Sequence, residues 1–126
     1  MTPEEFPKAF AAAFALQDAG GLRAMLTADA QVVTLTGAVA DDAMQAGKLF
    51  EQELAGIFAA AKLVTGRNRL QVLGPGLVIV HQRYVVMGAR DEAGQALPRF
   101  GAAVTAVMLQ TAQGWLVVSL TLSALT

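Results

Sequence analysis

Apolar residues in the first half of the chain recur with helical spacing. A helix predicted over residues 2–17 carries three phenylalanines four positions apart, which share one of its faces: Phe6, Phe10 and Phe14. Gly20-Gly21 is expected to end this helix, and a short helical segment follows at residues 22–26. Asp42 is a candidate cap for a third helix, whose apolar stripe continues to Ala61.

After residue 61 the apolar positions indicate extended structure instead. A short strand over residues 31–36 precedes the third helix, and four long strands are predicted over 63–73, 77–89, 99–111 and 115–125. Glycine-rich breaks of hairpin length separate most of them. Helices followed by an antiparallel meander predict an α+β fold.

The predicted strands are apolar on both faces, although a sheet with one wet face should alternate. Three helices can cover only one side of such a sheet, and large exposed apolar surfaces usually mark association sites. We therefore predict a homodimer that packs sheet against sheet, with a closed barrel as the alternative. The residues expected on the dimer face are His81, Arg83, Leu116, Val118, Leu120 and Leu122.

Composition narrows the function without naming a reaction. The 126 residues suit a single domain over 1–126, and a net charge of −1 without a basic run argues against nucleic acid as a partner. No cysteine and one histidine make a metal site improbable. The chain is 55% hydrophobic, but no apolar run reaches the roughly 18 residues of a membrane span. The acidic start, Met1–Glu5, favours a cytoplasmic protein without a targeting segment.

Three groups of residues resemble the landmarks of one superfamily in their order and spacing. They are Phe14–Asp18 with Leu22 and Thr27–Ala30, then Val72–His81, similar to the family's LGPDVALVH, and finally Gly114–Val117, similar to its GWRI. The chain thus resembles the nuclear transport factor 2-like (NTF2-like) superfamily, also called cystatin-like or SnoaL-like, and within it the SgcJ/EcaC branch. The match covers nearly the whole chain.

The resemblance implies a curved, mainly antiparallel sheet wrapped around N-terminal helices into a cone. A pocket would lie in the concave interior, and dimers would form through the convex face. Relatives include isomerases, cyclases, dehydratases, hydrolases and binding domains, so no single reaction is implied. Two departures remove ligand-holding groups: Thr121-Leu122 replaces a polar His-Asn or Gln-Asn pair, and Gly37–Val39 replaces tryptophans.

Strand parity and this resemblance together select seven residues to line the concave pocket: Phe14, Gln82, Tyr84, Thr105, Trp115, Ser119 and Thr121. Hydroxyls and an amide in an apolar cup suit a small apolar or weakly polar ligand. The alternative is that these strand hydroxyls only satisfy one another.

His81 and Tyr84 are the candidate proton-transfer groups, although for His81 a place in the dimer contact is favoured over catalysis. Arg83 and Arg99 have the guanidinium geometry that clamps a carboxylate. The alternative for both is pairing with an acid, for example Glu53, or a place in an interface.

We expect a homodimer that binds a small ligand without metal or cofactor, since no glycine-rich phosphate loop is present. One alternative is a cofactor-free isomerase, dehydratase or hydrolase on a polyketide- or steroid-like substrate. A further alternative is a dimerisation module without ligand. An open interior into which His81 or Tyr84 points would favour the enzyme, and a filled interior would favour the module.

Overall fold

The computed structural model describes residues 1–125, which form three helices and six strands. The helices are α1 (Phe6–Ala15), α2 (Ala19–Ala24) and α3 (Ala43–Ala55). The strands are β1 (Leu26–Val33), β2 (Val39–Ala40), β3 (Lys62–Gly74), β4 (Leu77–Met87), β5 (Phe100–Thr111) and β6 (Gly114–Ala124).

All six strands join one sheet in the order β2-β1-β6-β5-β4-β3. Every neighbouring pair is antiparallel except β1 and β6, which run parallel. The helices pack on one side of this sheet, and the predicted α+β class is confirmed. Strands β3 to β6 form a meander, in which short turns help to set the register of the β3–β4 and β5–β6 pairs, whereas a longer loop over residues 88–99 joins β4 to β5.

Side-chain caps mark where α2 and α3 begin. The Asp42 carboxylate accepts the Gln45 N–H at 2.8 Å, as predicted, and the Gln45 side chain accepts the Asp41 N–H at 2.9 Å. Asp18 accepts the Gly21 N–H at 2.9 Å, so α2 runs through the glycine pair that was expected to separate two elements. The cap satisfies an orphan donor and offsets the low helix propensity of glycine.

The first strand differs most from the sequence-based expectation. It begins at Leu26 instead of residue 31, and β2 was not predicted at all. Thr27–Ala30 has little β propensity of its own, but it lies between the two places where β1 pairs with β6. Leu26 pairs with Val117, and pairing resumes at Gln31 after an irregularity. Pairing on both sides with a strand some 90 residues away therefore extends β1 beyond what local preference predicts.

The two sides of the sheet differ in what covers them. In β4 and β5, buried residues alternate regularly with more exposed ones, and the buried set faces the helices. We call this side the helix face and the opposite side, which no helix covers, the open face. Directly paired residues project to the same side of a sheet, so the register assigns each position to a face.

A β-bulge in β6 reverses the predicted assignment of its faces. Ser119 pairs with Val107, but the next pair is Val117 with Met108, so Val118 is an extra residue. Beyond it, Leu120 and Leu122 are 1% and 3% exposed and lie on the helix face. Their predicted place on the dimer face is therefore wrong.

The same bulge and register move three predicted pocket residues to the open face. Thr105 pairs with both His81 and Thr121, and its neighbours Val104 and Ala106 are buried toward the helices. Thr105, Thr121 and Ser119 therefore project away from the concave interior, which corrects their predicted position. The periodicity of one strand cannot reveal a bulge, because the extra residue is defined only by its partner.

Two glycines in the segment after β4 have left-handed backbone conformations but differ in how closely they are packed. Gly88 has φ 80°, and a Cβ there would collide with the carbonyl oxygen of Ala60. Gly94 has φ 81°, but a Cβ there would meet nothing within 4 Å.

We expect Gly94→Ala to lower the free energy of unfolding by about 1–2 kcal/mol from backbone strain alone, and Gly88→Ala to lower it by at least about 2 kcal/mol more. Urea unfolding of the two variants measures this difference, and equal losses would contradict the close packing of Gly88.

Candidate functional site

The space between α1 and the sheet is occupied by aromatic side chains. Phe6, Phe10 and Phe14 form a row whose successive ring centroids lie 5.6 and 6.2 Å apart. Phe10 contacts Tyr84 of β4 at 6.2 Å, and Phe14 contacts Phe58 at 5.6 Å. All five rings are at most 4% exposed. The predicted helical spacing thus produces a filled core rather than a wall around an open pocket.

Tyr84 is fixed in this core by its hydroxyl group. It is 2% exposed, and its hydroxyl donates to the carbonyl oxygen of Pro7 at 2.7 Å. Burial raises the pKa of Tyr84 well above its ordinary value of 10.0. A proton-transfer group needs the opposite: access to substrate and a pKa close to working pH.

The polar atoms of the interior are already paired. Among the described residues, no buried side-chain nitrogen or oxygen lacks a hydrogen-bond partner. The predicted pocket residues are also divided between two sides, since Phe14, Gln82, Tyr84 and Trp115 lie toward the helices and the other three lie on the open face. The structure does not bring these seven residues around one cavity.

Gln82 shapes β3 through its side-chain amide. Its Nε2 donates to the carbonyl oxygens of Gly66 at 3.2 Å and Arg83 at 2.7 Å, while its Oε1 accepts from Asn68 at 2.8 Å. The pairing of β3 with β4 shifts between Thr65 and Asn68, so Gly66 and Arg67 lie opposite Arg83. A Cβ at Gly66 would lie 3.3 Å from the Arg83 carbonyl oxygen, a close approach that favours glycine. A 3% exposed amide therefore fixes a bulge at the sheet edge.

A wide opening lies on the open face beside this bulge. It has a volume of about 510 Å³ and is lined by Arg67, Arg69, Gln82, Arg83 and His81 together with Ala103, Val104 and Thr105. We call it the basic recess. By comparison, the side near α1 has a depression of about 210 Å³, lined in part by Lys8, Thr65 and Asn68.

The basic recess has no acidic residue on the strands that form it. Neither Asp nor Glu occurs in β3, β4, β5 or β6. Glu53, one expected partner for an arginine, instead accepts hydrogen bonds from Thr34 at 2.7 Å and Thr36 at 3.0 Å. His81 lies 3.4 Å from the Gln71 side-chain oxygen. Three guanidinium groups on strands without Asp or Glu make this recess a region of positive potential.

Sequence reasoning selected Arg83 and His81 but missed Arg67 and Arg69. The Arg67-Asn68-Arg69 alternation in an extended segment was the available indication, because residues two apart in a strand share a face. Their position next to Arg83 depends on the bulge, which the sequence did not reveal. Arg99, the other predicted clamp residue, is exposed and does not line the recess.

A patch of aliphatic side chains lies on the open face near the β3–β4 and β5–β6 turns. Leu77 pairs with Leu109, which pairs with Leu116, and Ile79 pairs with Val107. Together with Val118 at the bulge, these half-buried residues form what we call the apolar patch: Leu77, Ile79, Val107, Leu109, Leu116 and Val118.

Residues 1–125 contain no group of three or more His, Cys, Asp or Glu side chains arranged to hold a metal ion. Within the same range, no helix has the length and apolar character needed to cross a membrane.

Comparison with solved structures identifies the fold. An uncharacterised protein with a cystatin-like fold from Caulobacter vibrioides is similar with a TM-score of 0.88 and 14% identity, covering 98% of this chain and 87% of that one. A Xanthomonas campestris protein, provisionally named a calcium/calmodulin dependent protein kinase II association domain, gives 0.80 and 19%, with 97% and 84% covered. A Streptomyces avermitilis protein, provisionally named a dehydratase from the NTF2-like family, gives 0.78 and 18%, with 95% and 91% covered.

These likenesses establish a cystatin-like, NTF2-like fold, with helices packed on a curved, mostly antiparallel sheet. No family model matches the sequence, and no curated protein matches it. At such low identities the likeness shows the fold alone, and the differing names of the neighbours give no common activity.

The buried hydroxyl of Tyr84 predicts how stability depends on high pH. Because the pKa is raised in the folded state, the stabilisation is complete below pH 10.0 and decreases as pH rises above that value, where only the unfolded chain ionises. Tyr84 is the only tyrosine, so ultraviolet absorbance reports its ionisation alone. We expect tyrosinate to form only as the protein unfolds, and Tyr84→Phe to lack this part of the pH dependence. Tyrosinate forming near pH 10 in the folded protein would contradict the buried site.

Proposed function

We propose that this protein functions as a self-associating domain, a homodimer formed through the open face of its sheet. The observation that carries the proposal is the apolar patch, where six aliphatic side chains adjoin one another on a face that no helix covers. Contiguous apolar surface of this kind marks association sites in soluble proteins.

The size of the open face is adequate for a stable interface. Strands β3 to β6 contain 11 to 13 residues each. With about 3.3 Å per residue and about 4.8 Å between strands, they span about 36 by 19 Å, or about 700 Å². Two such faces offer about 1,400 Å² in all, against about 1,200–2,000 Å² for specific interfaces, and this is an upper bound because a contact centred on the apolar patch leaves the basic recess free.

The filled interior argues against the two alternatives that need an open pocket. A ligand between the helices and the sheet would have to displace the aromatic row, which includes Phe10 and Phe14. Proton transfer by Tyr84 would require its buried hydroxyl to leave Pro7. The name of the Xanthomonas neighbour agrees with association as a role for this fold, whereas the dehydratase name of the Streptomyces neighbour has no counterpart in a free polar group here.

The proposal also includes three further assignments from the sequence. The motifs at Val72–His81 and Gly114–Val117 support a place near the SgcJ/EcaC branch of NTF2-like proteins. We also propose that the protein is cytoplasmic and that residues 1–126 form a single domain.

Sedimentation of the wild type and one variant tests the dimer. We expect a particle of twice 13.1 kDa, and Leu109→Glu to weaken association by at least about 100-fold. In a two-fold interface each substitution acts twice, because both copies place an unpaired carboxylate in the apolar contact.

Val72→Glu is the matched control for this experiment. Val72 lies on β3, is 70% exposed and does not belong to the apolar patch, so the same change there should leave the dimer intact. A wild-type particle of 13.1 kDa at the highest concentration tested, or equal effects of the two glutamates, would refute the proposed interface.

A further inference from the structure

We propose that the basic recess is a binding site for a small organic anion with a carboxylate or phosphate head and an apolar body. The observation behind it is the juxtaposition of Arg67, Arg69, Arg83 and His81 around one opening of about 510 Å³. That volume lies within the range of ordinary small-molecule sites.

The strand register concentrates these side chains. Arg69 pairs directly with His81, and Arg67 lies at the bulge opposite Arg83. Cross-strand neighbours are about 5 Å apart, and residues two positions apart along a strand about 6.6 Å apart. Three guanidinium groups with this spacing can converge on one oxyacid head, and each can donate two parallel hydrogen bonds.

The recess is a constructed site rather than an accidental group of surface arginines. The buried Gln82 amide bonds to the backbone of both Gly66 and Arg83, on the two sides of the bulge that places Arg67. Without the bulge, regular alternation would place neighbouring β3 residues on opposite faces. Gln82 is therefore a positioning residue for the site.

Charge identifies an anion, and not a second copy of the chain, as the occupant. A second copy would bring the same four basic side chains on strands that carry no Asp or Glu. Two such recesses facing each other would repel, whereas an anion would neutralise one of them. The site therefore needs no partner chain and does not depend on the proposed dimer.

The floor of the recess predicts the rest of the ligand. Ala103 contributes apolar surface, and Thr105 adds one hydroxyl. Ile79 and Val107 of the apolar patch adjoin this floor across the same strand pair. A head group held by arginines and a body resting on β5 describe an amphiphilic anion.

Calorimetric titration with three probes tests the site: benzoate, phenyl phosphate and the neutral benzamide. We expect benzoate or phenyl phosphate to bind with a dissociation constant below about 10 mM and with affinity that falls as salt is added. Whichever anion binds more tightly identifies the head group. Benzamide should bind at least about tenfold more weakly than benzoate, because it has the same shape without the charge.

Variants of the recess and a matched control complete the experiment. Arg69→Gln and Arg83→Gln should each weaken anion binding by about tenfold, whereas Arg90→Gln, an exposed arginine outside the recess, should change it less than about twofold. Gln82→Leu keeps every charge but releases the bulge. It should weaken binding while the backbone amide shifts of Gly66 and Arg67 move, and circular dichroism confirms that it folds.

The failure of this site and the failure of the dimer are distinguishable. The patch variant Leu109→Glu lies four residues along β5 from Thr105, about 13 Å, so it should retain anion binding even as a monomer. Absence of binding by both anions, equal binding of benzamide, or affinities unchanged in Arg69→Gln and Arg83→Gln would each overturn the proposal.

Discussion

The structure depends on a mismatch between a sheet with two faces and helices that cover one of them. Strand alternation assigns every residue of β4 and β5 to one face or the other, and the helices bury the face that carries Val80, Tyr84 and Val104. Burying apolar surface is the main driving force for folding, so the covered face holds the core. The other face keeps aliphatic side chains in contact with water, and any account of function has to say what becomes of them.

On the covered face, the side chains pack closely and serve the core. The phenylalanines of α1 meet the sheet at Tyr84 of β4, and β5 adds the small buried side chains Ala102 and Ala106 to the same core. Tyr84 fills the remaining space, and its hydroxyl bonds to the helix. A close-packed interior of this kind stabilises the fold but leaves little room for a substrate. The solved neighbours share this fold at 14–19% identity under different names, which agrees with a scaffold whose function is determined by local side chains.

On the open face, the side chains divide into two regions along the strands. Near the turns the residues are aliphatic, as at Leu109 and Leu116, and toward β3 they are basic, as at Arg67 and Arg69. We assign self-association to the aliphatic region and anion binding to the basic region. The first requires burial of apolar area, and the second requires positive charge beside a recess.

Much of the architecture could be predicted from the sequence, because it follows from local patterns. The spacing of the α1 phenylalanines, the Asp42 cap and the four long strands each depend on nearby residues. The positions of Thr105 and Leu120 could not be predicted, since the register and the bulge at Val118 are properties of strand pairs. The same limit hid the basic recess: Arg67 reaches Arg83 only through a bulge held by Gln82.

Hydroxyl-radical footprinting across a concentration series tests the central claim, that the apolar patch of the open face is covered by a second copy, most directly. Leu77 and Leu116 report on the apolar patch. Leu16, which follows directly after α1 and is 77% exposed, serves as an internal reference. The account predicts that oxidation of Leu77 and Leu116 falls as the protein is concentrated while oxidation of Leu16 stays constant. Equal oxidation of the patch leucines at all concentrations would contradict it.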